Sequence, residues 1–341
     1  MSLNRFLFIL LTITVLIGIA VALGSGQNTP AVIIASFLAT TLQVATPLTL
    51  GALSGLYCER SGVVNIAIEG MMLTAAFFGW LASIYAGATG MEPLLAVLVG
   101  VGAAVLTGIL TGLLHAVLSV TFKVDQIISG TVINILAVGL TGFLNRALFF
   151  QRDIPHAPGV LPTWHIPLLS DLPVLGRVFQ QQPIAITAVL LVVFTHWVLF
   201  HTRWGLRTRA VGEHPMAADT VGISVFRMRY ANVMIGGAIA GLAGAYFTLE
   251  SVPSFEPGQT AGRGFISLAA MIFGNWTPFG AWAAALLFGG AQALQINAQY
   301  FGLPVPSQLV GMLPYLLTMI ALTGIVGRTI APAADGKPYE K

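Results

Sequence analysis

The stretch that decides the fold is residues 93–118, PLLAVLVGVGAAVLTGILTGLLHAVL, which contains no Asp, Glu, Lys or Arg. An α-helix needs about 20 mostly apolar residues to cross a hydrocarbon core roughly 30 Å thick. The run also lacks the alternation of polar and apolar residues that the strands of a membrane barrel show. It therefore predicts a membrane-spanning helix.

Similar stretches recur along the whole chain. Hydrophobic residues make up 56% of the sequence and charged residues 8%, whereas a soluble domain carries about 25% charged residues. The first stretch, after Arg5, has two readings, a secretory signal or a retained helix, and its length favours the retained helix. We therefore predict one all-α transmembrane domain over residues 1–341, with about ten transmembrane helices. Besides 93–118, the predicted spans are 6–24, 31–57, 62–86, 126–150, 183–201, 230–250, 264–274 with an irregular continuation, 279–298 and 308–327.

The basic residues indicate how the chain crosses the membrane. Cytosolic connections of membrane proteins carry an excess of Lys and Arg. If the N-terminus is inside, eleven of the 15 Lys and Arg lie in inner connections, and only Arg146, Arg152, Arg177 and Arg263 lie outside. Both termini are therefore predicted in the cytosol. Because the basic balance follows membrane sidedness, the expected contact is membrane lipid and not nucleic acid.

Two long connections divide the chain. Residues 151–182 form a predicted external segment rich in proline, and residues 202–229 form a predicted cytosolic loop with five arginines. The external segment separates two groups of five spans. Because five is odd, structural repeats would have to be inverted, as in many transporters. Glycine-flanked irregular stretches near 62–70 and 262–280 support a 5+5 inverted repeat with broken helices.

The cytosolic loop contains a predicted short helix. Pro215 suits the first helical position, because its missing N–H needs no partner there. Residues 216–221 continue the helix with Asp219 exposed, and Gly222 suits the left-handed position after a helix end. The pattern alone leaves two interpretations open, an amphipathic linker held to anionic headgroups or a docking element.

Polar side chains inside the predicted spans are candidates for a solute path, because a charged group in lipid costs about 2.5–3.5 kcal/mol on insertion scales. Asn65 and Glu69 are four residues apart, so a helix would place them on one face. Gly62 and Gly70 would let the backbone break there. The pair either lines the path or serves the fold, with Glu69 capped by backbone N–H groups.

Three further side chains have two interpretations each. Asn134 lies within a predicted span, where it either bonds across helices or faces the path. Asn275 and Trp276 lie at a predicted helix break, where they form a gate or, for the tryptophan, an interfacial anchor.

Two more features concern packing. Gly237 and Gly241 form a close-packing surface, either between two subunits or inside the chain. His115 is alone near the end of its span and is predicted to be structural.

The sequence carries no motif for catalysis or for nucleotide binding. None of its lysines follows G-x-x-x-x-G, and both H-E-x-x-H and G-x-S-x-G are absent. We therefore expect no enzyme activity, no resident cofactor and no metal site, and ATP would be bound by another subunit. An ion-coupled secondary transporter or a channel for a small polar solute is the alternative.

Four blocks in a fixed order resemble a known family. They read ERSGVVNIAIEGMM at 59–72, DQIISGTVIN at 125–134, RAVGEHPMAADTVG at 209–222 and RGFISLAAMIFG at 263–274. From about residue 40 to residue 325, the chain resembles the permease subunits of bacterial ABC importers in the branch for simple sugars and nucleosides. Within that branch it is similar to the second permease of nucleoside systems that work with a basic-membrane-protein-type lipoprotein.

The resemblance implies a function and a set of partners. The chain would be a permease subunit in the bacterial plasma (inner) membrane, forming the path for a nucleoside or a simple-sugar-like solute. Its partners would be an ATPase with two nucleotide-binding domains, a second permease copy or paralogue, and an extracytoplasmic solute-binding lipoprotein.

The resemblance also implies a role for the short cytosolic helix, which in that family docks into the ATPase. Ala217, Ala218 and Gly222 match the Ala-Ala-x-x-x-Gly part of the coupling motif. Met216 stands where other importer classes have glutamate. The residues that the resemblance implies in coupling are Glu213, His214, Pro215, Ala217, Ala218 and Gly222.

Overall fold

The computed structural model describes residues 30–149, 157–165, 167–168, 170–172, 175–300, 312 and 329–340. These residues form a helical bundle with one antiparallel pair of two-residue strands. The helices are α1 Pro30–Glu59, α2 Ile68–Ala88, α3 Pro93–Ala116, α4 Gln126–Phe149, α5 Pro183–His201, α6 Arg203–Glu213, α7 Pro215–Thr220, α8 Val225–Ala245, α9 Arg263–Phe273 and α10 Pro278–Tyr300. The strands are β1 Trp164–His165 and β2 Gln180–Gln181, and π-helical turns extend α3 over Val117–Thr121 and α8 over Tyr246–Ser251.

The predicted spans within the described residues are confirmed as helices. Seven of these helices are long and apolar enough to cross a membrane: α1 to α5, α8 and α10. Helix α9 has 11 residues, so at 1.5 Å per residue it covers about half of a hydrocarbon core. The predicted spans 6–24 and 308–327 lie outside the described residues, and the count of ten stays a prediction.

Helices α1, α2 and α8 form the centre of the bundle. In its most apolar stretch, 78% of α8 is buried within the chain, against 28% for α3. Helix α3 packs on α2 and α8, whereas α10 packs on α9 and α1. The outward faces of α3, α4 and α5 carry exposed leucine, isoleucine, valine and phenylalanine, as expected of surfaces that meet lipid or another apolar partner.

The contact between α3 and α8 is made by glycine. A methyl group added at Gly241 would lie 2.5 Å from the carbonyl oxygen of Ala104, and one at Gly112 would lie 2.9 Å from that of Val233. Such distances leave no room for side chains, so the two backbones approach closely. The packing surface of Gly237 and Gly241 is therefore internal to the chain, which resolves the two interpretations left open by the sequence.

Three non-helical segments interrupt the bundle at Arg60–Ala67, Val252–Gly262 and Gly274–Thr277. Each contains residues with positive φ: Gly62 at 85°, Gly262 at 79°, and Asn275 and Trp276 at 51° and 50°. The irregular backbone predicted near 62–70 and 262–280 is therefore present. The span predicted at 62–86 begins its helix only at Ile68, because the left-handed backbone at Gly62 ends the preceding helical path.

The cytosolic loop predicted over 202–229 is largely helical. Helices α6 and α7 occupy most of it, and α8 begins at Val225, five residues before the predicted span. The Ser224 hydroxyl accepts a hydrogen bond from the Arg227 N–H at 3.5 Å and caps α8. The predicted boundary was wrong because Arg227 and Arg229 were interpreted as loop charges, whereas Arg229 is buried in the helix.

We predict that Gly108→Ala lowers the free energy of unfolding by about 1–3 kcal/mol, the usual range for overpacking. The added methyl would meet the carbonyl oxygen of Gly237 on α8. Gly102→Ala is the matched control on the same helix, because nothing lies within 4 Å of its added methyl. Thermal unfolding of the detergent-solubilised chain measures both variants, and equal midpoints would contradict the close approach of α3 and α8.

Candidate transport and coupling sites

The backbone at the break before α2 is bonded by side chains from α3 and α4. The Val64 N–H donates to the Gln126 side-chain oxygen at 2.7 Å. Nε2 of His115 lies 2.9 Å from the Val64 carbonyl oxygen, and its Nδ1 lies 3.1 Å from the Ser129 hydroxyl. Because a carbonyl only accepts, Nε2 carries the proton. The predicted structural role of His115 is confirmed.

Asn134 bonds the same break from a position further along α4. Its side-chain nitrogen donates to the Ile66 carbonyl at 2.9 Å, and its side-chain oxygen accepts from the Gly70 N–H at 2.7 Å. A methyl at Gly70 would lie 2.8 Å from that oxygen, so only glycine admits the contact. Of the two interpretations of Asn134, the structure has the bond across helices.

Glu69 caps the beginning of α9. Its carboxylate accepts hydrogen bonds from the Thr260 hydroxyl at 2.6 Å, the Gly262 N–H at 2.8 Å and the Gly264 N–H at 2.6 Å. A carboxylate at a helix N-terminus satisfies N–H groups that have no partner in the helix and is stabilised by the helix dipole. The fold role proposed for Glu69 therefore matches the geometry.

Asn65 does not share a helix face with Glu69. It lies in the non-helical segment before α2, and its side-chain nitrogen is 3.3 Å from Sγ of Cys58 and 3.7 Å from Sδ of Met71. The prediction of a shared face was wrong, because a four-residue spacing implies one face only when the residues between are helical.

The other end of α9 is held by the end of α1. The Arg60 guanidinium donates to the Trp276 carbonyl from Nε at 2.9 Å and from Nη2 at 2.6 Å. The Trp276 indole N–H donates to the Glu59 carboxyl at 2.7 Å. Trp276 is buried, so the interfacial-anchor interpretation was wrong. Both ends of the short α9 are thus bonded to residues that flank the break between α1 and α2.

Asn275 connects this region to residues 329–340. Its side-chain oxygen accepts from the Ile330 N–H at 2.9 Å. Further along the same segment, the Asp335 carboxyl is hydrogen-bonded to that of Glu59, and burial raises the pKa of Asp335 to about 7. Two carboxyl groups in contact share one proton. Sequence reasoning missed this pair, because no motif joins residues so far apart.

The residues predicted to act in coupling lie at the corner between α6 and α7. Helix α7 begins at Pro215 as predicted, with His214 preceding it, and ends one residue earlier than predicted. Gly222 has φ of 84°, so its predicted left-handed conformation is confirmed. The Glu213 carboxylate accepts from the Ala333 N–H at 3.2 Å.

The two faces of α7 differ in exposure. Met216 is 64% exposed and Val221 75%, and Ala217 is exposed beside them, whereas Ala218 is 3% exposed. Ala218 packs within the chain against a cluster formed by Val211, Val225, Met228 and Tyr339. Asp219 is only half-buried and bonds the Tyr339 hydroxyl, so its predicted full exposure was wrong.

A bundle of broken apolar helices with a helical corner at one end defines a membrane transport permease. The family described as branched-chain amino acid transport system / permease component matches residues 37–322, and the chain belongs to this family. It is an integral protein of the plasma (inner) membrane. Permease components work with a separate ATPase and a permease partner, so the chain is a transport subunit and not an enzyme.

Named relatives cover nearly the whole chain. It is 42% identical over 315 residues to the guanosine ABC transporter permease protein NupQ of Bacillus subtilis, covering 91% of this chain and 98% of that one. It is 40% identical over 320 residues to the nucleoside ABC transporter permease protein NupC of Lactococcus lactis, covering 92% and 98%. It is 34% identical over 314 residues to the protein named putative glucose ABC transporter permease protein TsgC13 of Haloferax volcanii, covering 86% and 93%.

We predict that Glu69→Ala lowers the free energy of unfolding by at least about 3 kcal/mol, because three donors lose their acceptor at about 1–3 kcal/mol each. Glu256→Ala is the control, since it removes an exposed carboxylate from the same connection and should change stability by less than about 0.5 kcal/mol. Thermal unfolding in detergent compares the two. Equal midpoints would contradict the capping role.

Proposed function

We propose that the chain is the membrane-spanning subunit of an ABC importer for nucleosides. The observation that carries this proposal is its 42% and 40% identity to permeases named for guanosine and nucleoside transport, against 34% for TsgC13, which is named for glucose. The specific partners proposed are an ATPase with two nucleotide-binding domains below the membrane, a second permease beside the chain, and an extracytoplasmic solute-binding lipoprotein.

We propose ten spans arranged as a 5+5 inverted repeat with both termini in the cytosol. Packing supports this arrangement, because α1 and α8 are both long helices that end near a glutamate, Glu59 and Glu250, and are followed by a non-helical segment. Each neighbour relation also has a counterpart: α3 contacts α2 and α8, while α10 contacts α9 and α1. Exchanging the halves reproduces this set of contacts.

In this proposal the polar residues near the breaks hold the backbone in place and do not line the solute path. Glu69, Asn134, Asn275 and Trp276 direct polar groups to partners within the chain. The Asn65 side-chain nitrogen contacts two sulfur atoms, and its oxygen has no partner among the described residues. An ion-coupled carrier would need a titratable group available to the ion, whereas Glu69 and His115 are both held by internal hydrogen bonds. The geometry therefore does not favour that alternative.

Helix α7 is the proposed docking element for the ATPase, with its exposed side chains as the contact. Met216 and Val221 are large apolar groups, and the buried Ala218 fixes their direction by holding the opposite face to the chain. An apolar side chain of the ATPase would find partners at this corner.

The solute assignment predicts the outcome of a transport experiment. The chain is reconstituted in proteoliposomes with its ATPase, second permease and lipoprotein. We expect ATP-dependent uptake of radiolabelled guanosine that excess unlabelled nucleoside suppresses and excess glucose does not. Vesicles that contain this chain alone should not accumulate guanosine. ATP-dependent glucose uptake without nucleoside uptake would overturn the assignment, and accumulation by the isolated chain would overturn the ATPase requirement.

The docking assignment predicts the effect of a charge on α7. Met216→Lys should weaken retention of the ATPase on the purified chain by about tenfold or more, as for loss of an interface hot spot. Met216→Leu is the matched control and should retain the ATPase, because it keeps the apolar contact. Co-purification with the tagged chain measures both, and equal retention of the ATPase by the two variants would contradict docking through Met216.

A further inference from the structure

Residues 329–340 cross the end of the molecule that carries α7 and touch several of its elements. The Ile330 N–H donates to the Asn275 side chain at 2.9 Å. The Ala334 N–H donates to the Gly212 carbonyl at 2.8 Å. The Lys337 carbonyl accepts from Nη1 of the buried Arg229 on α8 at 2.9 Å. The segment is thus fixed to the break after α9, to α6 and to α8.

One part of this segment is anchored to α7. Tyr339 is 5% exposed and packs with Ala218 of α7 in the cluster that also contains Val211, Val225 and Met228. Its ring meets that of Phe226 edge to face at 5.6 Å. Its hydroxyl bonds the Asp219 carboxylate, also on α7. A displacement of α7 therefore moves Tyr339 or breaks these contacts.

Another part reaches the two broken helices. The Asp335 carboxyl bonds that of Glu59, which in turn accepts from the Trp276 indole N–H. A methyl added at Gly62 would lie 3.1 Å from the Ala334 carbonyl oxygen, and one at Gly336 would lie 3.4 Å from the Val64 side chain. The segment therefore lies directly on the break before α2.

Residues 332–337 of the segment are internally bonded. The Asp335 N–H donates to the Pro332 carbonyl at 3.1 Å, and the Lys337 N–H donates to the Ala334 carbonyl at 3.2 Å. The Lys337 ammonium also reaches the Ala333 carbonyl at 2.8 Å. These bonds stiffen the part that carries Asp335, and only Pro338, whose ring fixes its φ, separates that part from Tyr339. A displacement of Tyr339 is therefore expected to reach Asp335.

We propose that residues 329–340 form a mechanical link that transmits the displacement of α7 to the breaks at Arg60–Ala67 and Gly274–Thr277. Tyr339 and Asp335 are its positioning residues, and neither contacts the solute in this proposal. The inference rests on the proposed function, because it adds a route from the ATPase-docking helix to the broken helices. It differs from docking itself, since the segment would affect how ATP hydrolysis drives uptake and not whether the ATPase binds.

The test compares Tyr339→Ala with Glu340→Gln in the reconstituted complex. Glu340 is the matched control, because it lies in the same segment and makes an exposed ion pair with Lys123 at 3.3 Å. Tyr339→Ala is expected to lower the guanosine taken up per ATP hydrolysed by about fivefold or more, the lower end of typical coupling between sites. ATPase co-purification should be unchanged. Tyr339→Phe keeps the ring, so its uptake per ATP hydrolysed should lie between the values for Tyr339→Ala and Glu340→Gln.

Amide hydrogen exchange in the same complex tests the link without transport. Tyr339→Ala should speed exchange of the backbone amides in Arg60–Ala67 and Gly274–Thr277, whereas Glu340→Gln should not. If exchange at both breaks and uptake per ATP match the wild-type complex, the link is overturned. If Tyr339→Ala loses both the bound ATPase and uptake, the segment serves ATPase binding, and the link is also overturned. If the wild-type complex shows no uptake, the proposed function is refuted. The hydrogen-exchange comparison of the two variants would still test the link.

Discussion

Every backbone polar group that leaves a helix in the buried interior of the bundle must be bonded by the protein, because water does not reach it there. This constraint explains why polar side chains surround the breaks. The segment Arg60–Ala67 is bonded by Gln126, His115 and Asn134 from two neighbouring helices. Polar residues that would be costly in lipid here form hydrogen bonds to the backbone where it is not helical.

The same constraint ties the two halves of the bundle together. Glu69, at the beginning of α2, bonds the beginning of α9, and Arg60, after the end of α1, bonds the carbonyl that follows the end of α9. Residues that flank the break between α1 and α2 therefore bond the backbone at both ends of α9. A displacement of α9 would therefore disturb the hydrogen bonds of Glu69 and Arg60, and with them the beginning of α2.

The sequence predicted the parts of this fold that local rules determine. Apolar runs located the described spans, proline and glycine located α7, and glycines located the breaks. It could not predict that Asn134 meets Gly70 or that Asp335 meets Glu59, because those contacts depend on how distant segments pack. Arg229 shows the same limit: a basic residue in a predicted loop is normally solvated, yet Arg229 is buried. A carbonyl of residues 329–340 accepts from its Nη1, while its Nε and Nη2 have no hydrogen-bond partner among the described residues.

The glycine contact between α3 and α8 has a consequence for motion. Backbone laid against backbone contains no rotamers that can rearrange, and each shift along it forces carbonyl oxygens into neighbouring atoms. The two helices are therefore expected to travel as one rigid body. Relative movement is expected instead where helices pack less closely, as around α4. A methyl group added at Gly139 or Gly142 would meet nothing within 4 Å among the described residues.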